Sequence, residues 1–446
     1  MYIRLIQLFC AFFLLAFVSC KETPKEATAF PDYLLQSNIY EVNVRQYTPE
    51  GTFKAFEAHL PRLREMGVDV LWFMPITPIS LEDRKGVLGS YYAVADYKAV
   101  NPEFGTMDDW KALVKKAHEM GFKVITDWVA NHTGADNRWL KSNPGFFVRD
   151  RMGKAVYAFD WSDTRDLDYW NPQLRDSMTH ALKFWVTETG IDGFRCDVAS
   201  EVPRLFWEDA IRQLKVVKPD IFLLAEADVA WVHDAGFHAS YGWSAFAKMK
   251  EVAAGTASPR VLDTVIRHME ETFPSKALKM YFTSNHDENS WNKADYATMP
   301  GDVHAPFAVL SMTWKNALPL IYSGQEEPFL DSLSFFYKDT ITFGKYERAP
   351  FYKTLLSLRK STPALAVDAA YTRLETTSDD AVYAYLREKG GKKVLVLLNL
   401  SKEPQSFMVN LSQGGEATNV FSGTKEQLSD GKNFELAPWG YLVYSF

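Results

Sequence analysis

Gly193-Phe194-Arg195-Cys196-Asp197-Val198-Ala199 reads as a short buried strand carrying a guanidinium and a carboxylate two residues apart. Residues i and i+2 of a strand point to the same face, so Arg195 and Asp197 stand side by side. Either charge is costly to bury alone, whereas a carboxylate beside a cation stays ionised well below neutral pH. Taken in isolation, such a pair is more often a structural ion bridge than a site. The segments on either side of it decide.

Those segments alternate between strand-like and helix-like patterns. Residues 39–47 alternate apolar and polar as a strand does, and 53–66 carry apolar residues at helical spacing before Gly67. A buried strand over 68–74, a helix over 108–120 and a strand over 123–129 follow. Further on come a helix over 172–189, with Pro172 at its first position, and strands at 193–199, 221–227, 279–285 and 318–323. One more, poorly marked, falls within 230–243. The tally is about eight strands separated by helices, which predicts a (β/α)8 TIM barrel over residues 35–362.

Two stretches break the rhythm. Residues 132–171 are rich in Asp, Asn, Gly and aromatics and hold no helix of convincing length, so they are expected to form a short irregular subdomain on the third βα loop. Beyond Lys360 the texture changes to short alternating strands at 381–387, 393–399, 407–411 and 441–446, with Lys389-Gly390-Gly391-Lys392 as a hairpin turn. This predicts a separate all-β sandwich domain over 363–446.

A hydrophobic fraction of 47% with 24% charged residues describes a globular chain. The net charge of −7, without a long basic run, argues against nucleic-acid binding. Aromatics reach 15%, thirteen of them Trp, which suits stacking on flat ligand faces such as sugar rings as well as a large core. Arg4, the apolar run 5–18 and Val18-Ser19-Cys20 spell a signal peptide over 1–20, and the placement of Cys20 is that of a lipidated bacterial lipoprotein. Residues 21–34 read as a polar tether. Export to the cell envelope, with a lipid on Cys20 as membrane contact or else plain secretion, is the resulting expectation. After processing only Cys20 and Cys196 remain, so no internal disulfide is expected.

Polar residues gather at the C-terminal ends of the expected strands: Asp127, Asn131 and His132 after the third, Arg195 and Asp197 at the fourth, Glu226 at the fifth, His286 and Asp287 at the seventh. Barrel enzymes place their sites on that rim. Retaining glycoside hydrolysis needs an ionised carboxylate as nucleophile and a protonated carboxyl as acid, about 5–5.5 Å apart. Asp197 beside Arg195 fits the first role. Glu226 emerges from an apolar strand with no neighbouring cation in sequence and fits the second, burial raising its pKa. Asp287 with His286 suits gripping sugar hydroxyls. Metal-assisted hydrolysis would need clustered ligands, and His132 and His286 stand alone, without H-x-H or H-E-x-x-H.

These motifs resemble the α-amylase family of glycoside hydrolases, family thirteen. Its blocks stand here as Asp127-Trp-Val-Ala-Asn131-His132, Gly193-Phe-Arg195-Cys-Asp197, Ala225-Glu226-Ala227 and Ser284-Asn285-His286-Asp287. Asp166-Leu167-Asp168 resembles a fifth block, and Gly89-Ser-Tyr-Tyr92-Ala-Val-Ala-Asp96 the segment after the second strand. The resemblance implies Asp197 as nucleophile, Glu226 as general acid/base and Asp287 as the third essential acid, with Arg195 holding Asp197. It implies that His132 and His286 bind hydroxyls of the cleaved sugar, that Tyr92 stacks beneath it, and that Asp127 and Asn131 are structural. The implied substrate is starch, maltodextrin or a related α-glucan. Transglycosylation, sucrose or α-1,6 activity, and a non-catalytic glycan-binding barrel are the alternatives. No cofactor is required by this reading. Many family members carry a Lys-His pair soon after the nucleophile that helps hold calcium; Ala199, Ser200 and Glu201 stand there instead. Asn131 and Asp166 offer the oxygen donors that calcium prefers, and no metal site is assigned to them.

Overall fold

The computed structural model describes residues 30–292, 299, 301–329, 331–411 and 414–446. The expected signal peptide, Cys20 and most of the tether therefore lie outside the described residues. From Phe30 onward the chain is already packed on the barrel: Leu34 is fully buried, and Phe30 meets His238 edge-on at 5.9 Å between ring centres.

Eight parallel strands close into a barrel. We number them β1 (Ile39–Val42), β2 (Val70–Phe73), β3 (Lys123–Trp128), β4 (Gly193–Cys196), β5 (Phe222–Ala225), β6 (Ala239–Tyr241), β7 (Leu278–Tyr281) and β8 (Ala317–Tyr322). Each pairs with its sequence neighbour, and β1 pairs with β8 to complete the ring. The strands are shorter than the apolar runs that announced them, because the residues beyond each rim leave the ladder to build loops. Helices between them bury one apolar stripe each. Pro172–Thr189 starts on Asn171, whose side chain accepts from the backbone N–H groups of Gln173 and Leu174, and ends at Gly190 in the left-handed conformation. Met107–Glu119 opens with a capping box between Thr106 and Asp109.

Two local expectations are corrected. The alternation over 39–47 is a strand only as far as Val42; a single helical turn, Val44–Tyr47, follows. Asn43, buried at the rim, donates its N–H to Ser323 Oγ and its side-chain amide to the Tyr322 hydroxyl, which ends the ladder. The helix over 53–66 is two helices, Phe53–Glu57 and Leu60–Met66. Pro61 near the start of the second supplies no N–H and blocks a continuous helix.

The excursion after β3 holds one short antiparallel pair, His132–Gly134 with Thr164–Asp166, and a single helical turn, Trp139–Ser142. The C-terminal unit is an antiparallel sheet of six strands backed by a two-stranded sheet, 405–408 with 433–436. Strand alternation gives the large sheet two faces. Tyr383 and Tyr385 pack into the core shared with the barrel, while Val382 and Ala384 face the inner core of the sandwich. Lys389 pairs with Lys392 across Gly390 and Gly391, both at positive φ, as a two-residue hairpin requires.

Candidate active site

The register of β3 and β4 sets Asp127 directly beside Arg195. Arg195 is wholly buried, and its guanidinium is shared. Nη1 donates to Asp127 Oδ1 at 3.0 Å and to Asp197 Oδ1 at 2.9 Å, Nε donates to the Tyr241 hydroxyl at 3.0 Å, and Nη2 lies 2.9 Å from Glu226 Oε2. Glu226, which has no cation beside it in sequence, therefore shares one with Asp197 across the β4–β5 boundary. Sequence distance concealed this, because the two residues are brought together only by strand pairing.

The loops beyond β4 and β5 are tied to each other. The Glu226 N–H donates to the Cys196 carbonyl, and the Ala199 N–H to the Glu226 carbonyl. Val198 takes φ 35° and ψ 47°, a left-handed conformation that β-branched residues avoid. That turn aims its N–H at Glu226 Oε2, 2.7 Å away, so the backbone strain sits where it orients a carboxylate. Cys196 is buried and free and is not among the residues that line the cavity.

Burial dominates the titration of both acids. It raises Glu226 to about 7, against the lowering effect of Arg195 and with help from the Asp197 and Asp287 charges. It raises Asp197 to about 6, again against Arg195, with Asp127 adding to the rise. This corrects the expectation that the guanidinium holds Asp197 well below neutral. One guanidinium divided among several buried carboxylates does not offset their desolvation.

A cavity of about 330 Å³ opens over these groups, lined by Tyr92, His132, Asp197, Glu226, His286 and Asp287 among others. Asp287 is the most exposed of the three acids, its side chain 34% accessible against 14% for Glu226 and 9% for Asp197. Tyr92 stacks on His286 at 5.6 Å between ring centres, and its hydroxyl lies 2.8 Å from His286 Nε2 and donates to Asp127 Oδ2 at 3.2 Å. Burial lowers His132 to about 3 and so keeps it neutral. Asn131 Nδ2 lies 3.5 Å from His132 Nδ1, and His132 Nε2 is buried without a hydrogen-bond partner among the described residues. Asn131 itself faces a separate shallow hollow with Asp166, Asp168 and Glu201. Among the described residues no three His, Cys, Asp or Glu side chains converge as metal ligands do.

Several lining residues have no mark in the sequence that points to the site. Trp161 of the excursion, and Trp291, Phe335 and Phe336 from the loops after β7 and β8, form the aromatic walls. Lys85 and Asp163 meet across the cavity wall at 3.0 Å, and Arg165 pairs with Asp83 beside them, joining the loop after β2 to the excursion. Glu41 on β1, fully buried, contacts His286 Nδ1 at 2.6 Å. An acid amid the apolar run Ile39-Tyr40-Glu41-Val42 is the one signal by which the sequence could have shown it.

A closed parallel barrel with three carboxylates and their guanidinium at the C-terminal rim defines a glycosidase-type barrel. Comparison with known proteins agrees. The alpha amylase catalytic domain matches residues 28–145 and 149–222, and the maltogenic amylase C-terminal domain matches 372–443. A maltogenic alpha-amylase structure from Thermotoga neapolitana is 30% identical, with a TM-score of 0.86 over 93% of this chain and 99% of that one. Alpha-amylase MalA of Haloarcula japonica is 28% identical over 88% of this chain, which spans 59% of that protein's length. Neopullulanase 2 of Thermoactinomyces vulgaris is 28% identical over 86% of this chain and 68% of its own. The chain belongs to the α-amylase family of glycoside hydrolases.

Proposed function

We propose that this protein is a retaining glycoside hydrolase that cleaves α-glucosidic bonds in starch, maltodextrin or a related α-glucan. The observation that carries the reading is the Arg195 fork, which holds Asp197 on one nitrogen and Glu226 on the other while burial keeps Glu226 the weaker acid. With Asp197 at about 6 and Glu226 at about 7, the pair is poised between those values with Asp197 ionised and Glu226 protonated.

In this mechanism the Asp197 carboxylate attacks the anomeric carbon as Glu226 gives its proton to the departing glycosidic oxygen. A glycosyl ester on Asp197 results. Glu226, now ionised, takes a proton from water, whose oxygen displaces Asp197 and restores both groups. Asp287, with His286, binds sugar hydroxyls, His132 donates or accepts through its free nitrogen, and the Tyr92 ring underlies the sugar. The names of the relatives, which include a neopullulanase and a maltogenic amylase, support an α-glucan as substrate.

Asp197→Asn and Glu226→Gln are each expected to lower kcat on maltooligosaccharides by roughly three orders of magnitude or more with the fold intact. Turnover unchanged in either variant would sink the assignment. The first product seen by NMR is expected to retain the α configuration. Products from soluble starch, pullulan, isomaltose and sucrose in parallel define the bond preference. We further propose that the chain is exported and carried on the cell envelope by a lipid on Cys20, a reading supported by Arg4, the apolar run after it and the Ser19-Cys20 junction.

A further inference from the structure

We propose that Glu41 is a positioning residue of this site: from β1 its carboxylate keeps His286 doubly protonated, so that Nε2 offers a proton, rather than a lone pair, to the Tyr92 hydroxyl and to Asp287 at the cavity wall. Glu41 Oε1 lies 2.6 Å from His286 Nδ1, and both side chains are all but inaccessible to water. Glu41 Oε2 has no hydrogen-bond partner among the described residues. Burial pushes the pKa of Glu41 up, and the His286 contact, with Arg195 beyond it, acts in the opposite direction, so the carboxylate stays ionised only against that imidazolium.

The surroundings favour charge on the imidazole. Facing His286 are Glu41 from β1, Tyr92 from the loop after β2, Asp127 from β3, Arg195 from β4 and Asp287 beside it in the chain. Tyr322 of β8 adjoins Glu41 and stays neutral, burial raising its pKa further. Among the described residues Arg195 is the cation paired with Asp127, Asp197 and Glu226, and the Glu41 and Asp287 charges lie close by. A second positive charge among them relieves their mutual repulsion. Burial by itself lowers the pKa of His286, but the Asp287 and Glu41 charges outweigh it and raise it to about 9. Without the charge of Glu41, the neutral ring with its proton on Nδ1 would turn an acceptor toward the Tyr92 hydroxyl and toward Asp287, and the donor that joins them would be lost.

Histidine-selective 13C labelling of the full chain, with the His286 signal identified by its absence in His286→Asn, tests this over pH 5–9. His286 in the wild-type protein is expected to remain protonated through about pH 8, and in Glu41→Gln to titrate at least about one unit lower. Glu41→Asp, which keeps the charge, is expected to recover most of the shift. A wild-type His286 that is neutral at pH 7, or a titration unmoved in a folded Glu41→Gln, overturns the proposal; should Glu41→Gln not fold, the wild-type titration by itself decides it. The kinetic readout rests on the glycosidase reading. There Glu226 sets the alkaline limb of kcat/KM in both forms, and the ratio of Glu41→Gln to wild type should fall between pH 7 and 9 and recover on acidification. An equal loss at every pH would mark Glu41 as merely structural and also refute the proposal. Should the protein cleave no α-glucan, the histidine titration still decides what Glu41 does.

Discussion

Glu226 concentrates the conflict between folding and catalysis in one side chain. Its folded pKa of about 7 lies above the ordinary carboxylate value of 4.5, so the native state holds a proton that the unfolded chain releases between those values. Stability from this group is therefore full below about 4.5 and is lost as pH rises through about 7. Glu226→Gln carries no charge to desolvate. It is expected to melt a few degrees above the wild type at pH 8 and level with it at pH 4, as followed by calorimetry. A lower Tm at pH 8 would mean that the charge of Glu226 stabilises the fold through Arg195. Asp197, raised to about 6 by burial against the same guanidinium, has the same sign. These residues were legible in the sequence as acids at strand ends. Their protonation was not, because it depends on burial and on who shares the guanidinium.

At the scale of the strand, Gly193 shows how closely β4 and β5 approach. A Cβ built there would lie 1.8 Å from the Phe222 carbonyl oxygen, in the backbone of the neighbouring strand. Rotation of a side chain cannot relieve such a contact, so the two strands must part. Their pairing is what brings Arg195 to Glu226. Gly193→Ala is expected to cost about 3 kcal/mol or more in urea unfolding, with activity falling among the molecules that remain folded. A variant within about 0.5 kcal/mol of wild type would show that the strands tolerate the separation. Other elements followed local rules closely. The helix Pro172–Thr189 was legible with its proline at the first position, and the hairpin at Gly390-Gly391 from its two glycines. Strands 415–419 and 425–428 escaped because each buries a single residue, Ala417 and Leu428, with little apolar alternation to mark it.

Across the whole molecule, barrel and sandwich form one packed body. Arg387 of the large C-terminal sheet donates to the carbonyls of Thr313, Trp314 and Ala366, and is fully buried there. The N-terminal end of the described chain packs near the base of the barrel, where Phe30 meets His238 just ahead of β6, away from the rim that carries the cavity. A membrane anchor joined there would leave the rim free for a polymer. If Cys20 carries a lipid, Cys20→Ser is expected to move the protein from the membrane fraction to the soluble one with kcat unchanged. Equal partition of both forms would rule out the anchor.

By itself the sequence determined the strand–helix rhythm, the irregular excursion, the change to short strands after Lys360, and the placing of Asp197, Glu226 and Asp287 at strand ends. Each of these is written in spacing and hydrophobic period, which act over a few residues. Tertiary structure alone decided that Arg195 is shared by Asp127, Asp197 and Glu226, that Glu41 stands behind His286, and that burial outweighs a guanidinium in setting the acids. The physical reason is one of range. Closing the barrel puts residues from distant parts of the chain within hydrogen-bond reach in a dry interior, where a charge depends on neighbours that no local pattern names.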